Sequence, residues 1–169
     1  MRLKFLALLL ALPLFSIAQT KNNNTKKWNI GAHFVHRSMN AYEFYDGYSY
    51  PRLSAEYSFT KCSSAEIMIE RIGKIKTTNN THSSYAPISL GYKLNILPWF
   101  TKNEWLVNNL KVYNSLRYSI IFQEDYTTDK FLYAPGVECY LCKDFGINTE
   151  FVFGQAMKTT FAIGIKYRF

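Results

Sequence analysis

The chain has 169 residues, with 20 basic against 12 acidic side chains and a formal net charge of +8. That length suits one domain, while 13 Tyr, 13 Phe and 3 Trp carry far more buriable surface than a disordered segment, and 3 Cys are too few and odd in number for a disulfide scaffold. The basic excess raises nucleic acid as a partner, but Lys and Arg are spread along the chain and no nucleic-acid module motif is present, so none is expected.

Residues 1–18 read as a cleaved secretory signal peptide. Met1-Arg2-Leu3-Lys4 is a short basic start, Phe5 to Phe15 is apolar, and Ser16 and Ala18 supply the small residues before a cut at Gln19. The apolar run is about half the roughly 20 residues that cross a bilayer as a helix. No Cys stands at the cut, so lipid attachment there is not expected. Cleavage removes Arg2 and Lys4 and lowers the charge to +6. Residues 19–26 are polar and low in complexity and read as a flexible lead, leaving 27–169 as the folded domain.

From Trp28 onward the dominant period is two, the strand signature. Trp28, Ile30, Ala32 and Phe34 oppose Asn29, Gly31 and His33. Leu53, Ala55, Tyr57 and Phe59 oppose Arg52, Ser54, Glu56 and Ser58, and Ala65, Ile67 and Ile69 oppose Glu66, Met68 and Glu70. Ile88, Leu90, Tyr92 and Leu94 oppose Ser89, Gly91 and Lys93. Between this strand and the next, Thr101 and Glu104 fit a capping box, with Phe100 and Trp105 as a hydrophobic staple, which predicts a short helix bearing Trp99 and Trp105. Val112, Leu116, Tyr118 and Ile120 then oppose Lys111, Tyr113, Ser115, Arg117 and Ser119. Phe131, Tyr133, Val137 and Cys139 oppose Leu132, Ala134, Gly136 and Glu138, with Pro135 predicting a bulge or a gap in the ladder. Ile147, Thr149, Phe151 and Phe153 oppose Asn148, Glu150 and Val152, and Phe161, Ile163, Ile165, Tyr167 and Phe169 oppose Thr160, Ala162, Gly164, Lys166 and Arg168. The count is eight strands. Tight connections at Thr60–Ser63 and Cys142–Asp144 alternate with longer ones at Arg37–Tyr50, Lys74–Ser84 and Gln123–Lys130, and Gly154–Lys158 is short.

Alternation alone leaves a soluble barrel, a sandwich and a membrane barrel open. Bulk favours the last. An eight-stranded bore is just wide enough for side chains to fill. The apolar face is crowded with Phe, Tyr, Ile and Leu, whereas the other carries Gly31, Gly91, Gly136, Gly146 and Gly164 with Ser and Ala. On that small-residue face Glu56, Glu66, Glu70, Glu138 and Glu150 nearly balance Arg52, Lys93, Lys111, Arg117, Lys166 and Arg168. A closed bore holds such charges only if they are paired. Hydrocarbon also requires closure, because an open sheet edge there leaves backbone groups unsatisfied. The expected fold is therefore all-β: a closed eight-stranded antiparallel up-and-down transmembrane β-barrel with aromatics near the strand ends.

A signal segment, eight alternating strands and a terminal aromatic resemble the small outer-membrane barrels of the OmpA/OmpX kind. The tail from Ala162 to Phe169 is similar to the terminal strand signal of that family, with Gly164, Tyr167 and Phe169 on its glycine and aromatic positions and Ala162 where a polar residue is usual. The resemblance implies residence in the outer membrane of a Gram-negative cell, contact with membrane lipid and lipopolysaccharide, and assembly by the barrel assembly machinery. A monomer is expected. Architecture of this kind does not carry an activity with it.

The sequence offers little chemistry. His36 and Ser38 faintly resemble the His/Ser sites of lipid A deacylases, which makes a lipid A-modifying deacylase or acyltransferase the first alternative. His33 and His36 differ by an odd number and so point to opposite faces. Cys139 and Cys142 have no second ligand pair at useful spacing, so no metal or cofactor is expected. The Cys62 and Cys142 turns belong on opposite sides of the rim, beyond the roughly 4.4–6.8 Å Cα separation of a disulfide, which predicts free thiols. The leading functional expectation is a barrel without an open pore, structural or surface-interacting, with recognition in its long loops. A soluble exported barrel binding an apolar ligand is the second alternative.

Overall fold

A computed structural model describes residues 28–40, 43–76, 82–122, 127–154 and 159–169; the signal and lead segments lie outside them. The strands are β1 (Trp28–Asn40), β2 (Glu43–Ser58), β3 (Ser63–Glu70), β4 (Ile72–Lys76), β5 (His82–Asn95), β6 (Leu110–Phe122), β7 (Thr127–Tyr140), β8 (Phe145–Gly154) and β9 (Thr159–Arg168). Two short helices, α1 (Leu97–Phe100) and α2 (Glu104–Asn109), lie between β5 and β6. Segments β3 and β4 occupy one position in the sheet, divided at Arg71, and both pair with β5. Neighbours in sequence are antiparallel neighbours in space, and the sheet closes through β1–β9 and β3–β5. The result, among the described residues, is a closed eight-stranded up-and-down barrel.

The faces split by parity, as the period-two pattern dictates. Along β1, Asn29, Gly31, His33 and Val35 are buried while Trp28, Ile30, Ala32 and Phe34 are exposed. Outward aromatics meet across strands near both ends of the barrel. Trp28–Tyr57 and Phe145–Tyr167 centroids are 4.8 and 4.9 Å apart at the tight-turn end, and Tyr118–Phe131 are 5.1 Å apart toward the other. Cross-strand ring pairs of this kind each add up to about 1 kcal/mol.

Several details depart from the sequence pattern. The β1–β2 ladder runs on to Asn40↔Glu43, so most of Arg37–Tyr50 is strand. Likewise β4 and β5 extend to Lys76↔His82, and β7 begins at Thr127. In these extensions the pairing is held by backbone bonds in spite of many polar side chains, so apolar alternation fades before the ladder does. The helix cap is Asn103, whose Oδ1 accepts from the backbone N–H of Trp105 and Leu106, while Thr101 Oγ1 accepts from Asn103 N–H. The extended backbone at Thr101 ends α1 and parts Trp99 from Trp105, so there are two helices where one was expected. Around Pro135, β7 keeps its pairing with β6, but the β7–β8 ladder skips Ala134 and Pro135. Cys62, Cys139 and Cys142 are free thiols.

Candidate functional site in the barrel interior

The interior is ionic toward the tight turns and, among the described residues, a mixture of apolar and hydroxyl side chains beyond. Toward the tight turns lies a lysine layer. Lys93 from β5 donates to Glu66 at 2.8 Å and Glu56 at 3.2 Å. Lys111 from β6 stands 3.2 Å from Glu56 and 3.1 Å from Glu138. Lys166 from β9 donates to Glu138 at 2.7 Å and to Glu56. Ser64 donates a further bond to Glu56 at 2.8 Å.

One step along the axis lies an arginine layer. Arg117 forks onto Glu150, with Nη1 at 2.7 Å and Nη2 at 2.5 Å from its two oxygens. This is the bidentate geometry that a planar guanidinium offers and an ammonium does not. Arg52 donates to Glu70 at 2.7 Å and to the same Glu150. Glu66 joins the layers, meeting Arg117 at 3.3 Å and Lys93 at 2.8 Å. Five carboxylates, Glu56, Glu66, Glu70, Glu138 and Glu150, thus face five cations, Arg52, Lys93, Lys111, Arg117 and Lys166, and the network sums to zero charge. Such balance is what burial demands, since each unpaired buried ion costs several kcal/mol.

Neutral side chains complete the bonding. Tyr113 donates to Glu150 at 3.0 Å and accepts from Asn148 at 2.6 Å. Tyr140 donates to Asn29 at 2.9 Å, and His33 Nε2 bonds Ser54 Oγ at 3.0 Å. The glycines make the room. A Cβ on Gly136 would stand 2.5 Å from the Tyr113 hydroxyl, and one on Gly164 would stand 2.5 Å from His33 Nδ1 and from the Ala32 carbonyl. Farther from the tight turns, Val35, Tyr50, Ile121, Val152 and Ala162 are buried together with the small hydroxyl side chains Ser89, Ser119 and Thr160, so charge gives way to a mixed, mostly apolar filling. The sequence pattern puts Ala134, Val152 and Ala162 on the face of the charges, and Val35 shares that parity, but no spacing rule says at what height they lie.

Of the residues singled out from sequence, Arg168 lies apart from the two layers. Its guanidinium sits 3.9 Å over the Tyr140 ring and donates to the backbone carbonyls of Asn108 at 2.9 Å and Lys143 at 2.7 Å. It ties α2 and the β7–β8 turn to the barrel floor. Asn95 does the same on the other side. Its Oδ1 accepts from Leu97 N–H and Val112 N–H, and its Nδ2 donates to the Lys61 carbonyl. Tyr167 and Phe169 face outward at the rim, their rings 6.1 Å apart. His36 points outward, and its Nδ1 is 3.1 Å from Ser49 Oγ on β2; the Ser38 side chain lies outside the described residues. No cluster of three or more metal-ligating side chains occurs among the described residues.

A closed, eight-stranded, up-and-down barrel with charged side chains inside and an apolar exterior is the fold of the small outer-membrane barrels. The outer-membrane protein OprG from Pseudomonas aeruginosa superposes with a TM-score of 0.62 at 11% identity, over 87% of this chain and 98% of that one. Neisserial surface protein A gives 0.61 at 12% identity, over 87% and 100%. A de novo designed transmembrane β-barrel gives 0.53 at 12% identity, over 87% and 98%. Identity at this level carries the fold alone. No family model matches the sequence, and no curated protein does.

Proposed function

We propose that this chain is an integral outer-membrane barrel with a closed interior and a structural or surface-interaction role. Residues 1–18 would direct export and be removed, and 19–26 would form a polar lead. Gly164, Tyr167 and Phe169 would be read by the barrel assembly machinery, and the mature monomer would sit among outer-membrane lipid and lipopolysaccharide. Recognition would fall to the connections within Arg37–Tyr50, Lys74–Ser84 and Gln123–Lys130.

The observation that carries this reading is the inversion of polarity. Phe151 and Ile163 are 44% exposed, while Glu56, Glu150 and Lys166 are at most 2% exposed. A soluble barrel with an apolar bore requires the reverse. Water would leave the outer apolar band unburied, whereas hydrocarbon covers it. The two ionic layers and the buried side chains beyond them, from Val35 and Ser119 to Val152 and Ala162, support a bore without a water path.

Two measurements test the proposal. After cell fractionation, the protein should appear in detergent-extracted outer membrane and run faster on a gel unheated than boiled. A soluble periplasmic pool would overturn the membrane reading. In planar bilayers the purified protein should show no steady single-channel steps; reproducible steps would overturn the closed interior.

A second reading, a lipid A-modifying enzyme, is favoured by one observation: the His36···Ser49 bond of 3.1 Å on the outward face, where a lipid could reach it. A His beside a Ser hydroxyl is the core of a general-base-activated nucleophile. Ser49→Ala and Ser38→Ala should leave the lipid A acyl pattern unchanged if the structural reading holds. A changed pattern in either would establish the enzyme.

A further inference from the structure

The three most exposed large apolar side chains of the described residues, Phe100, Leu141 and Trp105, lie at the tight-turn end of the barrel, and Trp99 beside them is as exposed as Leu53 and Ile165 on the barrel wall. Phe100 is 79% exposed, Leu141 68%, Trp105 66% and Trp99 62%. Three of the four lie on α1 and α2, in the connection 96–109, which is long beside the other turns at this end. Leu106 and Val107 are half-buried on the barrel side of α2, which leaves Trp105 on the free side. Apolar surface of this size does not stay in water without a partner to cover it.

We propose that the 97–109 connection is an interfacial foot, resting its aromatic side chains at the headgroup–acyl boundary of the phospholipid leaflet on the tight-turn side. The proposal rests on the membrane reading above and adds a contact that the barrel wall alone does not make.

Three observations select a phospholipid surface over a protein partner. First, the exposed apolar residues are distributed around the rim. Half-buried Phe59 marks the β2–β3 turn, and exposed residues mark the others: Trp99 to Trp105 the β5–β6 connection, Leu141 and Phe145 the β7–β8 turn, and Trp28 and Phe169 the junction of β1 and β9. A membrane plane touches a rim at every station, whereas a docked protein covers one sector. Second, Trp is the side chain best suited to this depth, with an apolar body and a single polar N–H. Third, Lys61, Lys102 and Lys143 are exposed at the same end, where their ammoniums can meet lipid phosphates. The foot is also held at a defined height. Asn95 fixes the start of α1 and Arg168 fixes the end of α2, both from the barrel floor. Both ends of the segment that carries the aromatic side chains are therefore tied to the barrel.

The test uses the three tryptophans as depth probes. One variant, W28F, reports from the foot through Trp99 and Trp105; a second, W99F/W105F, reports from the barrel's own end strand through Trp28 at the β1–β9 junction. Each is refolded into vesicles of phosphatidylethanolamine and phosphatidylglycerol, with bromine placed either high on the acyl chain or near its methyl end. The expected result for the foot is blue-shifted emission, strong loss of intensity with the shallow bromine, little with the deep one, and little with aqueous iodide. Foot emission that is red-shifted and quenched by iodide, while Trp28 is quenched by brominated lipid, would overturn the foot and leave the membrane barrel standing. Foot emission protected from both quenchers would also overturn it, since a second copy of the chain would then be covering the site. If Trp28 too escapes lipid quenching, the membrane reading itself falls.

Discussion

Lys166 projects from β9 into the centre of the lysine layer and is almost wholly buried. Its ammonium meets Glu56, Glu138 at 2.7 Å and Glu66 at 3.6 Å. The substitution Lys166→Met keeps an unbranched stem of similar bulk and deletes the charge. Glu56, Glu66 and Glu138 then share Lys93, Lys111 and Arg117, and the previously neutral network carries one excess negative charge. Removing one partner of a buried ion pair costs about 3–5 kcal/mol. Three cations remain in reach of the stranded carboxylates, and one carboxylate can take up a proton, so the low end applies, about 3 kcal/mol. With a urea dependence of about 2 kcal/mol per molar, the unfolding midpoint should fall by about 1.5 M. The assay is urea titration of the barrel refolded in phospholipid vesicles, followed by the gel mobility difference between folded and heat-unfolded protein. Adding Glu138→Gln removes the surplus charge, so the double variant should recover at least half of the loss. Coupling of that sign is the signature of a shared network. A Lys166→Met barrel within about 0.5 kcal/mol of the parent, or a double variant that loses the sum of the two singles, would refute the claim that the interior is held by charge balance.

Further expectations follow from the close approaches at the glycines and at the floor. Gly136→Ala drives a methyl to within 2.6 Å of the Tyr113 ring and 2.7 Å of the Thr149 carbonyl, so it should cost about 1–3 kcal/mol in the same urea assay. Gly164→Ala should be destabilising through His33, and His33→Ala in the same chain should restore part of the midpoint; the Ala32 carbonyl, 2.5 Å from the new methyl, limits the recovery. If the double variant is no better than Gly164→Ala, the ring contact is not what requires glycine there. Arg117→Lys retains the charge but cannot fork onto Glu150, so it should destabilise the barrel by about 1–2 kcal/mol, read as a lowered midpoint with unchanged fold by circular dichroism. Asn95→Ala removes the bonds to Leu97, Val112 and Lys61, so limited proteolysis in detergent should cut within 97–109 sooner than in the parent, with the barrel fragments otherwise intact.

The alternation of β9 was enough to separate its faces, because in a strand successive side chains must point oppositely whatever surrounds them. The same parity assigned Glu56, Glu66, Glu138 and Glu150 to one face with Arg52, Lys93, Arg117 and Lys166, and residue volume indicated which face a narrow bore accepts. Parity is a local property, so it reached no further than the face. It placed Arg168 with the interior charges, although the last residue of a strand can bend over the rim to reach Asn108 and Lys143. It ended β1 near Arg37, although backbone bonds carry the ladder to Asn40. Above all it could not name partners. Arg52 and Glu150 are 98 positions apart, and Lys166 and Glu56 are 110 apart. Which cation meets which carboxylate depends on the stagger of the strands around the closed barrel, and that stagger is set only when β1 pairs with β9 and β3 with β5. The fold class and the inner face were therefore written in the periodicity, because strand geometry enforces them residue by residue. The charge pairing, the filling of the bore beyond it and the clamped 97–109 connection were decided by closure, because only closure brings distant strands to a common height.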